Sequence, residues 1–181
     1  KAIAGICLIR LERIRPKGLP SFAGLSSENS AHRMAVEWTD AEGNENQGVF
    51  VFRRDSDSAL NALLGGRWFP GVHYHSLFSV DDRWDSVRLR VDADDFPDPL
   101  VELDVEQGPG LPHGSVFPTL EHASGFFQAG CLGYSLSADG SALEGLALET
   151  SEWNAAPLKV FGVRSAFFDD PQLFPPAAIR F

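Results

Sequence analysis

The sequence predicts a mainly β fold of the α+β class: a curved or closed antiparallel β-barrel with two short helices. Strand-like runs rich in Val, Ile, Phe and Trp recur along its 181 residues. Only two segments carry helix signals, and they are too few and too badly placed for alternating strand–helix–strand units. A parallel, doubly wound sheet is therefore disfavoured, and antiparallel pairing is expected.

The expected strands are apolar or β-branched runs bounded by Gly, Pro, Asn and Asp. The loop Asp40–Gln47 suits a hairpin, because its Asp, Gly and Asn residues favour turns. In chain order the expected strands are Ile3–Ile14, His32–Trp38, Gly48–Arg54, Val72–Val80, Ser86–Val91, Leu100–Glu106, Gly130–Ser137, Leu143–Glu149 and Leu158–Phe168.

The two helices are expected from the residues at their ends. Ser58–Leu64 is followed by a pair of glycines, which close a helix well. Leu120–Gln128 has Thr119 before it as an N-cap and Gly130 after it.

Composition and charge exclude several classes of protein. Twenty-five acidic and fifteen basic side chains give a formal net charge of -10, which repels nucleic-acid phosphates and acidic membrane surfaces. No stretch approaches the roughly 18 uncharged apolar residues that span a bilayer. Cys7 and Cys131 lie far apart, each inside an apolar run, so two buried reduced thiols in a cytoplasmic protein are expected, with a disulfide or an exposed reactive thiol as the alternatives. We expect no nucleic-acid partner and no membrane partner.

Polar residues are densest over residues 53–75. Side chains alternate along a strand, so Arg53 and Arg54 are expected to point to opposite faces, one inward and one outward. An unpaired buried guanidinium is very costly, so the inward arginine needs a carboxylate. Asp55 or Asp57 can supply it from within the chain, and a bound anion is the alternative.

His73 and His75 share one face of an expected strand, where such a pair can line a substrate pocket, pack in the core or hold a metal. A metal site needs a third and usually a fourth ligand, and none stands at a diagnostic spacing. We therefore expect no metal. The other residues of this chain that could act as ligands are His32, His113, Glu121 and His122.

The acidic stretch from Asp81 to Glu106 is expected to be a solvated face. Counted from Asp92, the sixth and twelfth positions of a calcium loop hold Pro97 and Leu103 instead of Gly and Glu. Glu121 lies on the second expected helix, where a role in proton transfer is an open alternative.

Six stretches carry a resemblance to a known family: Ala4–Leu11, Arg15–Pro20, Gly24–Arg33, Arg53–Ser56, Gly65–His73 and Gly133–Ser135. Through them most of the chain resembles the YqjF-like bacterial proteins, which are related to the acetoacetate decarboxylase superfamily. The resemblance implies a closed, cone-like antiparallel barrel with short helices and an internal small-molecule cavity. It also implies a single domain over residues 1–181 that lacks part of the family's N-terminal segment.

The family reaction does not transfer to this chain directly. Acetoacetate decarboxylase uses a Schiff-base lysine whose pKa is lowered by a second lysine beside it. The lysines here are Lys1, Lys17 and Lys159, and none is adjacent to another. We therefore expect no Schiff base and no cofactor. The expected polar lining of the cavity is instead Arg53, Arg54, Arg67, His73, His75 and Glu121.

Two functions of different classes fit these observations. The leading hypothesis is a protein that binds a small organic acid or carbonyl compound. In it an arginine holds the carboxylate and histidine or glutamate is available for proton transfer. The alternative is a non-catalytic ligand-sensing or protein-interaction module. The sequence does not decide whether the protein is catalytic. It also does not decide whether the protein is a monomer or a homo-oligomer. The candidates for binding are Arg53, Arg54, Asp55 and Arg67, and those for catalysis are His73, His75 and Glu121.

Overall fold

Two β-sheets make up about half of the described residues in the computed structural model, which describes residues 3–15, 18, 20, 22, 24–66, 70–147 and 152–175. The chain divides into two compact units. The first is Lys1–Leu77 with Gly133–Leu146, and the second is Phe78–Leu132 with Ala147–Phe181. The prediction of a mainly β fold is confirmed.

The elements in chain order are β1 (Ala4–Ile14), β2 (Leu25–Thr39), β3 (Glu45–Ser56), α1 (Ala59–Leu64), β4 (His73–His75), β5 (Leu77–Asp82), β6 (Ser86–Asp92), β7 (Val101–Gln107), α2 (Leu120–Ala129), β8 (Leu132–Leu136), β9 (Leu143–Ala147), β10 (Leu158–Arg164) and α3 (Ala166–Asp169).

The first sheet has six strands in the order β1-β2-β3-β8-β9, with β4 also paired to β3. β1, β2 and β3 are antiparallel, as expected. β3, however, pairs in parallel with both β4 and β8, so the expectation of a wholly antiparallel sheet is wrong here. The reason at β4 is that the segment containing α1 crosses over and returns the chain to β3 in the same direction. In the described residues no pairing joins β1 to β9, and no closed barrel is found.

The second sheet has four strands in the order β10-β7-β6-β5. On β6 the apolar side chains of Leu89 and Val91 are buried, and they alternate with exposed Arg88 and Arg90. Arg88 forms an exposed ion pair with Asp104 on β7. The prediction that this acidic stretch is a solvated face is therefore confirmed.

The two expected helices are confirmed, each with its N-cap. The Ser58 hydroxyl accepts a hydrogen bond from the Asn61 N–H at the start of α1, and Thr119 accepts one from the His122 N–H at the start of α2. Three strand predictions are corrected. The strand expected at His32–Trp38 already begins at Leu25, Val72–Val80 is split into β4 and β5, and the run Leu158–Phe168 ends at Arg164 because Ser165 caps the short helix α3. The last two residues of the expected strand Leu143–Glu149 lie outside the described residues.

The two units bury different kinds of side chain. The second unit buries an apolar core that includes Val91, Leu100, Val101, Val105 and Phe168. In the described part of the first unit, Val51 is the one buried hydrophobic residue. The buried polar residues there are Ser27, Ser30, His32, Arg53, Asp55, Ser56, Ser76 and Ser135. Buried polar groups are costly unless they are hydrogen-bonded, so the partners of these side chains decide what they do.

No helix among the described residues is long and apolar enough to cross a membrane. Cys7 and Cys131 are both free thiols. Cys7 is half-buried, and burial raises its pKa. Cys131 is exposed, so the expectation that both thiols are buried is wrong for this one.

Candidate ligand-binding site

Arg53 points to the buried side of β3 and is neutralised by Asp55. Its Nε lies 3.0 and 2.9 Å from the two carboxylate oxygens, and its Nη2 lies 2.7 Å from Oδ1. Ser76 donates a further hydrogen bond of 2.8 Å to the same carboxylate, and the guanidinium stacks 4.2 Å above the Tyr74 ring. The prediction that the inward arginine finds a carboxylate is confirmed. Asp55 is that partner, because residues two apart on a strand share a face.

Ser30 and His32 lie opposite this ion pair on β2. In the antiparallel register His32 is the partner of Arg53, and Ser30 is the partner of Asp55. Both side chains are buried, His32 completely. Burial, assisted by the charge of Arg53, lowers the pKa of His32 to about 4. His32 is therefore a neutral ring at pH 7, and it lies beside the buried ion pair of Arg53 and Asp55.

A β-bulge lies beside Arg53. The register passes from His32 opposite Arg53 to Arg33 opposite Val51, so Phe52 is the extra residue. Beyond the bulge the alternation is regular, because Ala31 pairs with Arg54 and Ser30 pairs with Asp55. Arg53 and Arg54 therefore point to opposite faces, as the sequence predicts.

Arg54 is not the exposed outward arginine that the sequence predicts. It is half-buried, and burial lowers its pKa. Its Nη1 donates a hydrogen bond to the hydroxyl of Ser135 on β8. Among the described residues no carboxylate forms an ion pair with it. Arg54 is half-buried because β4 and β8 both pair with β3 on its second edge. Ser135 on β8 and Gly71 before β4 therefore lie against its side chain.

Gly71 packs against Arg54 and explains why the position needs glycine. A Cβ built on Gly71 overlaps Arg54 Nη1 and lies 2.8 Å from Ser135 Cβ. Its φ of +76° also falls in the region that other residues rarely adopt. The Gly71 N–H donates a 3.0 Å hydrogen bond to Glu144 Oε2 on β9. The loop before β4 is thus fixed directly against the guanidinium.

His73 and His75 share one face of β4, as predicted, but they differ in burial. His73 is half-buried beside Arg54, its partner in the parallel register, whereas His75 is exposed. Nδ1 of His73 is 3.1 Å from the Gly71 carbonyl oxygen. Among the described residues no group of three or more His, Cys, Asp or Glu side chains is placed to hold a metal ion.

The remaining predicted site residues do not join this cluster. Arg67 lies outside the described residues. Glu121 is exposed in the first turn of α2, which belongs to the second unit. Hydrogen bonds from its own backbone N–H and from Thr119 lower the pKa of Glu121. A carboxyl group of this kind is ionised at neutral pH, and it therefore fits the role of a general acid poorly.

A cleft of about 320 Å³ lies in the second unit and contains none of the predicted site residues. Its walls include Pro97, Pro99 and Arg164, with the carboxylates of Asp98, Glu102, Asp169 and Asp170. Arg164 lies 3.8 Å from Glu102. Carboxylates outnumber the one arginine in this cleft and would repel an anionic ligand, so we place the candidate site at Arg54 and His73 and not in this cleft.

Ser135, Gly71 and Glu144 were not among the predicted functional residues. They belong to segments distant in sequence, and only the pairing of β3 with β4 and β8 brings them together. One signal was available, since Gly71 and Ser135 both lie within stretches that carry the family resemblance.

Comparison of the chain with protein-family models, with curated proteins and with solved structures gave no match.

Proposed function

We propose that this protein binds a small organic acid or carbonyl compound, with Arg54 as the group that holds the ligand's carboxylate. One observation supports this more than any other. A half-buried guanidinium has a neutral serine hydroxyl, and no carboxylate of the described chain, as its hydrogen-bond partner. A buried cation is costly without a counter-ion, and a bound carboxylate supplies one.

The chemistry of the guanidinium fits this ligand class. Arginine presents five N–H donors in a planar fork that matches the two oxygens of a carboxylate. Ser135 accepts one of these N–H groups, and the remaining donors have no acceptor among the described side chains. The contrast with Arg53 is direct, because Asp55 already occupies the fork of that arginine.

His73 is the candidate for acid–base chemistry on the bound ligand. It is half-buried and lies beside Arg54 on the neighbouring strand. No Schiff-base lysine takes part in the proposed reaction. Lys159 is exposed and forms an ion pair with Glu106, with 3.1 Å between its Nζ and the carboxylate. Lys1 and Lys17 lie outside the described residues.

The proposal includes the architecture that the resemblance implies. In it the chain is a single acetoacetate decarboxylase-like domain with an internal cavity, and its partner is a small cytoplasmic carboxylate or carbonyl metabolite. The polar interior of the first unit is consistent with such a cavity.

The experiment is a binding measurement on three proteins. Acetate, propionate, butyrate and the corresponding hydroxy and oxo acids are titrated calorimetrically into the wild type, Arg54→Met and Arg88→Met. Arg88 is the matched control because its exposed ion pair with Asp104 contributes little to stability. We expect Arg54→Met to weaken carboxylate binding roughly 10- to 150-fold, the range for a lost charged hydrogen bond. Equal affinities in the two variants would refute the proposal.

The second candidate is a non-catalytic ligand-sensing or protein-interaction module. The observation in its favour is that the buried guanidinium of Arg53 is neutralised by Asp55 within the chain, which is a structural role. Following the bound acid by NMR separates the two, because a sensor returns its ligand unchanged whereas an enzyme consumes it.

A further inference from the structure

The imidazole of His73 has one defined proton. Its Nδ1 lies 3.1 Å from the Gly71 carbonyl oxygen, and a carbonyl can only accept, so Nδ1 is the donor. In the neutral ring the other nitrogen, Nε2, then carries the lone pair. Burial, with a smaller contribution from Arg54, lowers the pKa of His73. The ring is therefore neutral at pH 7, and it offers an acceptor to a ligand.

Gly71 positions this acceptor and the guanidinium of Arg54 together. Its carbonyl oxygen orients the imidazole, and its Cα packs against Arg54 Nη1 so closely that no Cβ fits. Glu144 holds the same residue through its backbone N–H at 3.0 Å. Arg54 and His73 are partners in the parallel register, so the side chain next to the guanidinium offers a hydrogen-bond acceptor and not a second donor.

We propose that the ligand is a short hydroxy carboxylate, whose carboxylate binds Arg54 and whose hydroxyl donates to Nε2 of His73. This inference rests on the proposed function and adds the identity of the second polar group. An oxo acid of the same length turns an oxygen lone pair toward the lone pair of Nε2. A simple carboxylate leaves Nε2 without a donor. The hydroxyl is thus the feature that the site selects.

Matched ligands test this selectivity. Two sets are titrated calorimetrically at pH 7.5: 3-hydroxybutyrate, acetoacetate and butyrate, then lactate, pyruvate and propionate. We expect the wild type to bind the hydroxy acid of at least one set roughly 5- to 150-fold more tightly than its oxo partner, the range for one unsatisfied polar group.

Two variants on β4 locate the selectivity. His73→Phe should reduce the preference to within about twofold while Arg54 still binds the simple carboxylate. His75→Phe is the control, because His75 is exposed on the same face of the same strand, and it should keep the preference. If His73→Phe does not fold, ¹⁵N NMR of the wild-type histidines replaces it. The Nε2 signal of His73 should then move with the hydroxy acid and stay in place with the oxo acid.

The outcomes separate the two proposals. If no acid of either set binds the wild type, the proposed function and this inference both fail. If acids bind through Arg54 but the oxo acids bind as tightly as the hydroxy acids, the inference alone is wrong. It is also overturned if His73→Phe keeps the preference, or if the Nε2 signal responds equally to both acids.

Discussion

Replacing Arg53 with Met is expected to destabilise the protein strongly. The change leaves Asp55, which is 1% exposed, with the Ser76 hydroxyl as its remaining side-chain donor among the contacts described above. Removing one partner of a buried ion pair costs about 3–5 kcal/mol, because the other charge stays buried without compensation. For a chain of this length, that corresponds to a fall in melting temperature of roughly 6–20 °C. Lost stacking on Tyr74 adds to the effect.

The assay is urea unfolding followed by circular dichroism, with two comparison proteins. Arg88→Met removes an exposed ion pair and should cost only about 0–1 kcal/mol. In Arg53→Met/Asp55→Asn the uncompensated charge is also removed, so part of the lost stability should return. The reasoning is wrong if Arg53→Met is no less stable than Arg88→Met, or if the double variant is less stable than Arg53→Met.

Two further predictions concern titration and covalent chemistry. Because the folded pKa of His32 is about 4 and its ordinary value is 6.5, the unfolded chain binds the extra proton as pH falls between these values. Stability should therefore fall over this window by up to roughly 3 kcal/mol more in the wild type than in His32→Leu, and parallel pH profiles would contradict this. Borohydride trapping with acetoacetate should give no lysine adduct by mass spectrometry. Lys159 is exposed and paired with Glu106, and a stable adduct on it would show that this expectation is wrong.

The elements of the fold could be predicted where local signals dominate. The apolar run of β6, the glycines that follow α1 and the N-cap Thr119 of α2 are local signals, and the structure has these three elements where they were expected. Strand pairing depends on contacts between distant residues. The parallel placement of β4 and β8 beside β3 carries no local signature, and the antiparallel expectation failed there. The helix α3 was missed because its Phe167 and Phe168 continue an apolar run that resembles a strand.

The sequence likewise predicts only those features of the candidate site that depend on neighbouring residues. The alternation of side chains along a strand correctly placed Arg53 and Arg54 on opposite faces of β3, and it correctly predicted a carboxylate partner for the inward arginine. The sequence could not show that Arg54 is also half-buried, because the strands that enclose it come from other parts of the chain. For the same reason Ser135 and Glu144 could be located only in three dimensions.

The different roles of the two arginines follow from the residue two positions further along the strand. Side chains at this spacing share a face, so Arg53 meets the carboxylate of Asp55 whereas Arg54 shares its face with Ser56. In the strand register Asn29 and Ala31 lie opposite Ser56 and Arg54. This face of β2 and β3 therefore offers hydroxyl and amide groups but no counter-ion. Under the proposed function, this strand satisfies one buried cation internally and leaves its neighbour to a ligand, so the ion pair on the first face supports the binding group on the second.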